Sequence, residues 1–78
     1  MIVTIALSIG DGFSVDIGDE GMDAAACINA TRELLKGGEL LHGQWGSAKD
    51  YNKASAGRNR LRVVPAYINL DFVVAISV

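Results

Sequence analysis

Histidine, cysteine and proline each occur only once in this chain of 78 residues, and 6% of the residues are aromatic. A single cysteine excludes a disulfide framework and an all-cysteine zinc site. With only one histidine beside it, the common zinc ligand sets are excluded as well, and we expect no metal or other cofactor. Because 50% of the residues are apolar and 21% are charged, the chain is not a disordered tail. We therefore expect a single small domain over residues 1–78.

Positive charge is missing ahead of the apolar segment 1–9, so this segment does not have the pattern of a secretory signal. It is also much shorter than the ~20 residues that span a bilayer. The apolar run near the C-terminus contains Asn69 and Asp71, which do not suit a membrane span. We expect a protein of the cytoplasm without a membrane partner.

The first 17 residues have the alternating pattern of a β-hairpin. A two-residue Asp11-Gly12 turn would place apolar side chains opposite polar ones, whereas a three-residue Gly10-Asp11-Gly12 loop keeps them together. The pattern therefore predicts the three-residue loop, with Gly12 at its left-handed position. The expected pairs are Ile9 with Phe13, Leu7 with Val15, and Ile5 with Ile17.

A helix is predicted over 22–36. Asp19 or Asp23 can cap its N-terminus, and Gly37-Gly38 ends it. The expected buried stripe, with flanking positions, consists of Ala24, Cys27, Ile28, Thr31, Leu34 and Leu35. Leu40 and Leu41 are expected to follow in a short strand or an extended connection.

The composition of the chain changes over 43–60, a segment that holds no aliphatic residue larger than alanine. This segment forms either a short helix over 47–56, with Ser47 as cap and Gly57 as stop, or one long mobile loop. Beyond it, a strand over 61–64 is expected to be interrupted by Pro65, and alternation predicts a long strand over 68–78. On that strand Val73 and Ala75 are expected on the side opposite Ile68.

These elements predict an α+β fold in the order ββα(β)ββ. A single antiparallel sheet has the main helix packed on one face, and 43–60 is a polar, basic insertion at one end.

The chain has few side chains that could act as a catalytic nucleophile or base, so we do not expect an enzyme. A nucleophile needs a neighbouring base, and His42 is the sole imidazole. We interpret His42 as structural and Cys27 as a small core residue, rather than as a reactive pair. The acids Asp16, Asp19, Glu20 and Asp23 match no calcium loop, and a helix N-terminus that favours negative charge explains them.

The net charge of −2 conceals a basic-aromatic segment over 43–62. Its aromatic rings offer stacking surfaces, and its bases offer charge for a partner or an anion. In the alternative interpretation, Trp45 packs into the core and the basic side chains only keep a face of the sheet soluble. Nucleic acid is not favoured, because the chain as a whole is acidic. The candidate binding residues are Trp45, Lys49, Tyr51, Lys53, Arg58, Arg60 and Arg62.

The leading hypothesis is a small non-enzymatic binding or inhibitor protein that docks on a partner macromolecule through this segment. Short chains of this kind are common among the accessory, anti-defence proteins of phages and mobile elements. The second hypothesis is a module that captures a small anionic ligand, such as a nucleotide, between Trp45, Tyr51 and the arginines. A small enzyme is the third.

We also expect a homodimer. A single helix leaves the second face of the sheet uncovered, and Ile2, Ala6, Val73 and Ala75 are expected there. The C-terminal strand carries no charge in its last seven residues, so it can also pair at its edge.

Overall fold

The computed structural model describes residues 1–18, 21–57 and 61–78, and these form an α+β fold as predicted. Asp19, Glu20, Arg58 and Arg60 lie outside the described residues. The elements, in chain order, are β1 (Ile2–Leu7), β2 (Asp11–Asp16), α1 (Ala24–Lys36), β3 (Leu41–Ser47), α2 (Ala48–Ser55), β4 (Val63–Ala66), a 3-10 turn (Leu70–Phe72) and β5 (Val73–Ser77).

The five strands form one antiparallel sheet in the order β4-β3-β2-β1-β5. One face, here called the core face, carries the apolar side chains that alternate along β1 and β2 and is covered by α1 and by the chain between β4 and β5. The other, called the outer face, carries Thr4, Ser14 and Gln44. The buried core consists of Val3, Ile5, Leu7, Phe13, Val15, Ile17, Cys27, Leu35, Leu41 and Ile68.

The predicted main helix is confirmed, and α1 ends where the glycine pair begins. Asp23 is the N-cap, and its carboxylate accepts a hydrogen bond from the amide of Ala26 at 2.8 Å. The buried positions are Cys27, Thr31 and Leu35, spaced four residues apart. Of the other positions expected in this stripe, Ile28 and Leu34 are half-buried and Ala24 is exposed. Thr31 is satisfied in the core because its hydroxyl donates to the carbonyl of Cys27 at 2.8 Å.

The predicted hairpin is present, but its predicted register is wrong. Ile5 pairs with Phe13 and Val3 with Val15, so the turn comes earlier than expected. The amide of Gly10 donates to the carbonyl of Leu7 at 3.0 Å, and Gly10, rather than Gly12, has a positive φ of 93°. Both registers keep the same side chains on the same face, because they differ by an even number of residues. Alternation therefore predicted the faces of the strand residues but could not choose the pairs. Ile9, expected opposite Phe13 on the buried face, lies in the turn and is exposed.

The segment after α1 is a strand for longer than its composition suggested. β3 continues through Gly43 and Gly46 to Ser47, and the helical alternative for the next residues is the one that forms. Ser47 caps α2 as expected. Gly43 fits the middle of β3 because the Phe13 ring lies over it: a Cβ at this position would meet Phe13 Cζ at 2.7 Å and also the Ser14 carbonyl.

The two C-terminal strand predictions are wrong in their limits. β4 passes through Pro65, which an edge strand tolerates. The long strand predicted over 68–78 is reduced to β5 (Val73–Ser77). The reason is topological: β4 and β5 lie at opposite edges, so the intervening chain must cross the core face, where it buries Ile68. Val73 pairs with Leu7 and packs against the core, so it does not lie on the outer face as expected.

Candidate docking surface

Trp45 lies on the core face near the end of β3, beyond the part that α1 covers. It pairs with Phe13 across the sheet, and the two rings meet edge to face with centroids 6.0 Å apart. The indole Nε1 donates to the Asp11 carboxylate at 2.9 Å. The side chain is thereby held in place from two sides, although 37% of the residue remains exposed.

An apolar hollow of about 300 Å³ opens beside the Trp45 ring. Its floor comes from β1 and the buried Ile68, and its rim comes from three exposed side chains. Ile9 is 70% exposed, Tyr67 is 73% exposed and Phe72 is 56% exposed. Its lining residues are Leu7, Ile9, Trp45, Tyr67, Ile68, Asn69 and Phe72. We call this site the Trp45 hollow.

The chain segments that form the rim are held by hydrogen bonds. The amide of Ser8 donates to the carbonyl of Phe72 at 2.8 Å, which ties the β1–β2 turn to the chain that crosses the core face. The side chain of Asn69 accepts from the amide of Asp71 at 2.9 Å, and the carbonyl of Asn69 accepts from Phe72 at 3.0 Å. The Trp45 hollow is therefore shaped by the fold itself.

Three rim residues were missed by the sequence reasoning. Ile9 and Phe72 were assigned to strands, where alternation gives each a place in a sheet, and Tyr67 directly precedes the strand predicted over 68–78. The available signal was Asn69 followed two residues later by Asp71, since asparagine side chains often bond the backbone in this way at turns. Such a turn signal favours an irregular crossing over a continuous strand.

Tyr51 lies on the outer face. The capping box of α2, formed by Ser47 and Asp50, directs the helix back over the sheet. The Tyr51 hydroxyl donates to the carbonyl of Gln44 at 2.6 Å and accepts from the Ser14 hydroxyl at 3.1 Å. Its ring covers Gly12, where a Cβ would lie 3.4 Å from the ring edge. This side chain fastens α2 to the sheet.

Trp45 and Tyr51 are therefore on opposite faces of the sheet. A single pocket framed by both rings, as the hypothesis of a captured anion requires, is not formed by the described residues. The sequence placed the two aromatics six positions apart, but the strand-to-helix junction at Ser47 separates them.

The basic candidates that the structure describes are all on the surface. Lys49 and Lys53 are exposed on α2, and Arg62 is exposed just before β4. The hydrogen bond from the Ser47 amide, then the one from its hydroxyl, lowers the pKa of the Asp50 carboxyl from its ordinary value. Asp50 is thus engaged in the capping box of α2, and both lysines lie close to it along the helix.

The other reactive side chains are kept apart. Cys27 is a buried residue of α1, with its Sγ 3.7 Å from the carbonyl of Ile17, whereas His42 is exposed on the outer face. Asp16 accepts from the N-terminal amine at 2.9 Å, and this hydrogen bond raises the pKa of the amine. Over 1–18, 21–57 and 61–78, no group of three or more histidine, cysteine or acidic side chains could hold a metal ion.

No protein-family model, curated protein or solved structure matches this chain. In the part of the chain that the structure describes, neither helix has the length and apolar character needed to cross a membrane. The geometry of the chain's own residues is therefore what supports a function.

Proposed function

We propose that this chain is a small non-enzymatic binding protein that docks on a partner protein through the Trp45 hollow. The observation that carries the proposal is the cluster of exposed large apolar side chains around that hollow. Ile9, Tyr67 and Phe72 each leave more than half of their surface exposed. Contiguous exposed apolar surface of this kind marks interaction sites in soluble proteins.

The size of the hollow suits one or two side chains of a partner. A volume of about 300 Å³ lies at the low end for small-molecule pockets. Tryptophan and tyrosine at its edge belong to the residue types that dominate binding energy at protein interfaces. Because the rim is already hydrogen-bonded, binding costs little ordering of the chain.

The rim also indicates the chemistry of the partner. Asp11 lies at the Trp45 side of the hollow, and the exposed Asp71 directly precedes Phe72 in the chain. A partner segment with an apolar side chain next to a basic one complements this arrangement. The lysines of α2 and Arg62 do not line the hollow, and they stay candidates for a second contact.

The proposal is tested with a displayed library of random peptides, selected on the folded wild-type chain. We expect enriched peptides that combine an apolar anchor with a neighbouring lysine or arginine. Their binding should fall at least about tenfold for Ile9→Asp and for Tyr67→Asp, which is the loss of about 1.4 kcal/mol expected when an interface anchor is removed. Both positions are exposed, so the fold should tolerate these changes.

The matched control is Val63→Asp, an exposed apolar residue of β4 that does not line the hollow. Equal loss of binding in the control, or selected peptides without an apolar anchor, would count against the proposal. Thermal melts with a panel of nucleotides test the alternative of a captured anion, since a ligand that binds only the native state raises the Tm. A clear rise with one nucleotide would favour that alternative.

The proposal extends to a role as an inhibitor or accessory protein of the cytoplasm, of the kind that phages and mobile elements encode. The support is an analogy with other short, single-domain chains. Dual labelling of the expressed protein and a cytoplasmic marker tests the compartment.

A further inference from the structure

The two edges of the sheet differ in their ability to pair with another strand. β5 (Val73–Ser77) and β4 (Val63–Ala66) are the outermost strands of the described sheet. β5 contains neither charge nor proline, whereas β4 contains Pro65 and follows directly after Arg62. Edge strands that avoid pairing usually carry proline or charge. β5 has neither form of protection.

The pattern of pairing shows which backbone groups of β5 point away from the sheet. The Met1 carbonyl accepts from the Ile17 amide at 2.9 Å, so odd-numbered residues of β1 face β2 and even-numbered ones face β5. Ala75 pairs with Ala6, and Ser77 with Thr4, so these two residues face β1. Ile76 lies between them and therefore turns its N–H and C=O outward.

The same alternation, continued through β2 and β3, turns the backbones of Val63 and Pro65 outward on β4. Pro65 has no N–H, so one outward donor is missing on that side. A strand that approaches β4 thus finds an interrupted ladder. A strand that approaches β5 finds an outward donor and acceptor at Ile76.

Apolar surface is also concentrated along β5. Val74 has no partner in β1, because the register shifts there, and it is 67% exposed. Phe72 and Val78, at either end of the strand, are each 56% exposed. The chain as a whole exposes 5157 Å². A compact monomer of 8.2 kDa is expected to expose about 4,500 Å². The excess exposed surface is comparable to the area of about 800 Å² that each partner contributes to a standard interface.

We propose that β5 pairs antiparallel with β5 of a second copy of this chain, so that two sheets join into one across a two-fold axis. An uncharged strand meets no like-charge repulsion from its own copy. Pairing of β5 with β5 uses the free edge of both chains and leaves β4 at both ends, where Pro65 opposes further addition. The assembly therefore closes at a dimer instead of growing into a fibre.

Sedimentation equilibrium of the full chain at micromolar concentration is the first test. The expected mass is about twice the 8.2 kDa of one chain. Val74→Lys places a charge at the paired edge and should return the mass to that of a monomer. The matched control is Val63→Lys, because Val63 is 64% exposed on the other edge strand. It should leave the dimer intact.

Amide hydrogen exchange in the wild-type chain is the second test, and it needs no variant. The Ile76 amide should be protected at concentrations that give the dimer and should lose protection on dilution. The outward amide of Val63 should exchange freely throughout. A monomeric mass at every concentration, a dimer with a freely exchanging Ile76 amide, or equal dissociation by both lysine variants would overturn the proposal.

Discussion

The two faces of the sheet are built from the same strands but are stabilised in different ways. On the core face, Phe13 and Ile5 are fully buried and pack beneath α1 and the crossing chain. On the outer face, the only covering element among the described residues is α2, and Tyr51 secures it with two hydrogen bonds. One face depends on the fit of apolar surfaces, and the other depends on a few polar contacts.

This difference indicates where the chain tolerates change. A close-packed apolar face has no room for added atoms, because interiors are packed as densely as organic crystals. The outer face is open, so an added or altered side chain there can extend into solvent without a clash. The stability of the fold should therefore respond far more strongly to substitutions on the core face.

The largest contrast is expected between two glycines. Gly43→Ala should lower the free energy of unfolding by about 1–3 kcal/mol, because the new methyl group overlaps the Phe13 ring and the Ser14 carbonyl. Gly12→Ala should change it by less than about 0.5 kcal/mol, since the new Cβ meets the Tyr51 ring at an ordinary 3.4 Å. Neither glycine has a positive φ, so backbone strain does not confound the comparison.

Urea denaturation of both glycine variants measures this contrast. Equal effects of the two substitutions would show that the faces do not differ in packing as described. A larger effect of Gly12→Ala would reverse the comparison.

A smaller effect is expected from the hydroxyl that holds α2. Tyr51→Phe removes the hydrogen bonds to Gln44 and Ser14 and should lower the free energy of unfolding by about 1 kcal/mol. The control is Tyr67→Phe, since Tyr67 is 73% exposed and its change should have almost no effect. Thermal unfolding followed by circular dichroism compares them, and indistinguishable Tm values would contradict the role assigned to Tyr51.

The smallest effect concerns pH and the cap of α2. The pKa of Asp50 is lowered in the folded chain by hydrogen bonds from Ser47, so the charged carboxylate stabilises the helix above the unfolded pKa of about 4. That stabilisation should be lost as the pH falls through the lower, folded pKa. Amide chemical shifts of α2 between neutral and acidic pH should report the loss. In Asp50→Asn the transition should disappear, and its persistence would assign it to another carboxyl.

Local chemistry alone determined several features of this protein. The N-cap at Asp23 and the glycines after Lys36 define α1, and Ser47 with Asp50 defines the start of α2. Alternation in the first 17 residues determined which side chains of β1 and β2 lie in the core, although it wrongly included Ile9 of the turn. These signals act between residues close in the chain, so they can be read from the sequence without knowing which distant residues pack together.

Only the tertiary structure decided the rest, because those features depend on residues far apart in the chain. The hairpin register is an exception to that distance: the turn that closes on Gly10 sets it, and alternation alone cannot choose between the two registers. The break before β5 exists because the chain must pass from one edge of the sheet to the other. That crossing brings Tyr67 and Phe72 to Ile9 and Trp45 and so creates the hollow, whereas the turn at Ser47 carries Tyr51 to the opposite face. A sequence pattern reports which face a side chain takes, but the neighbours it finds there follow from how the elements are connected in space.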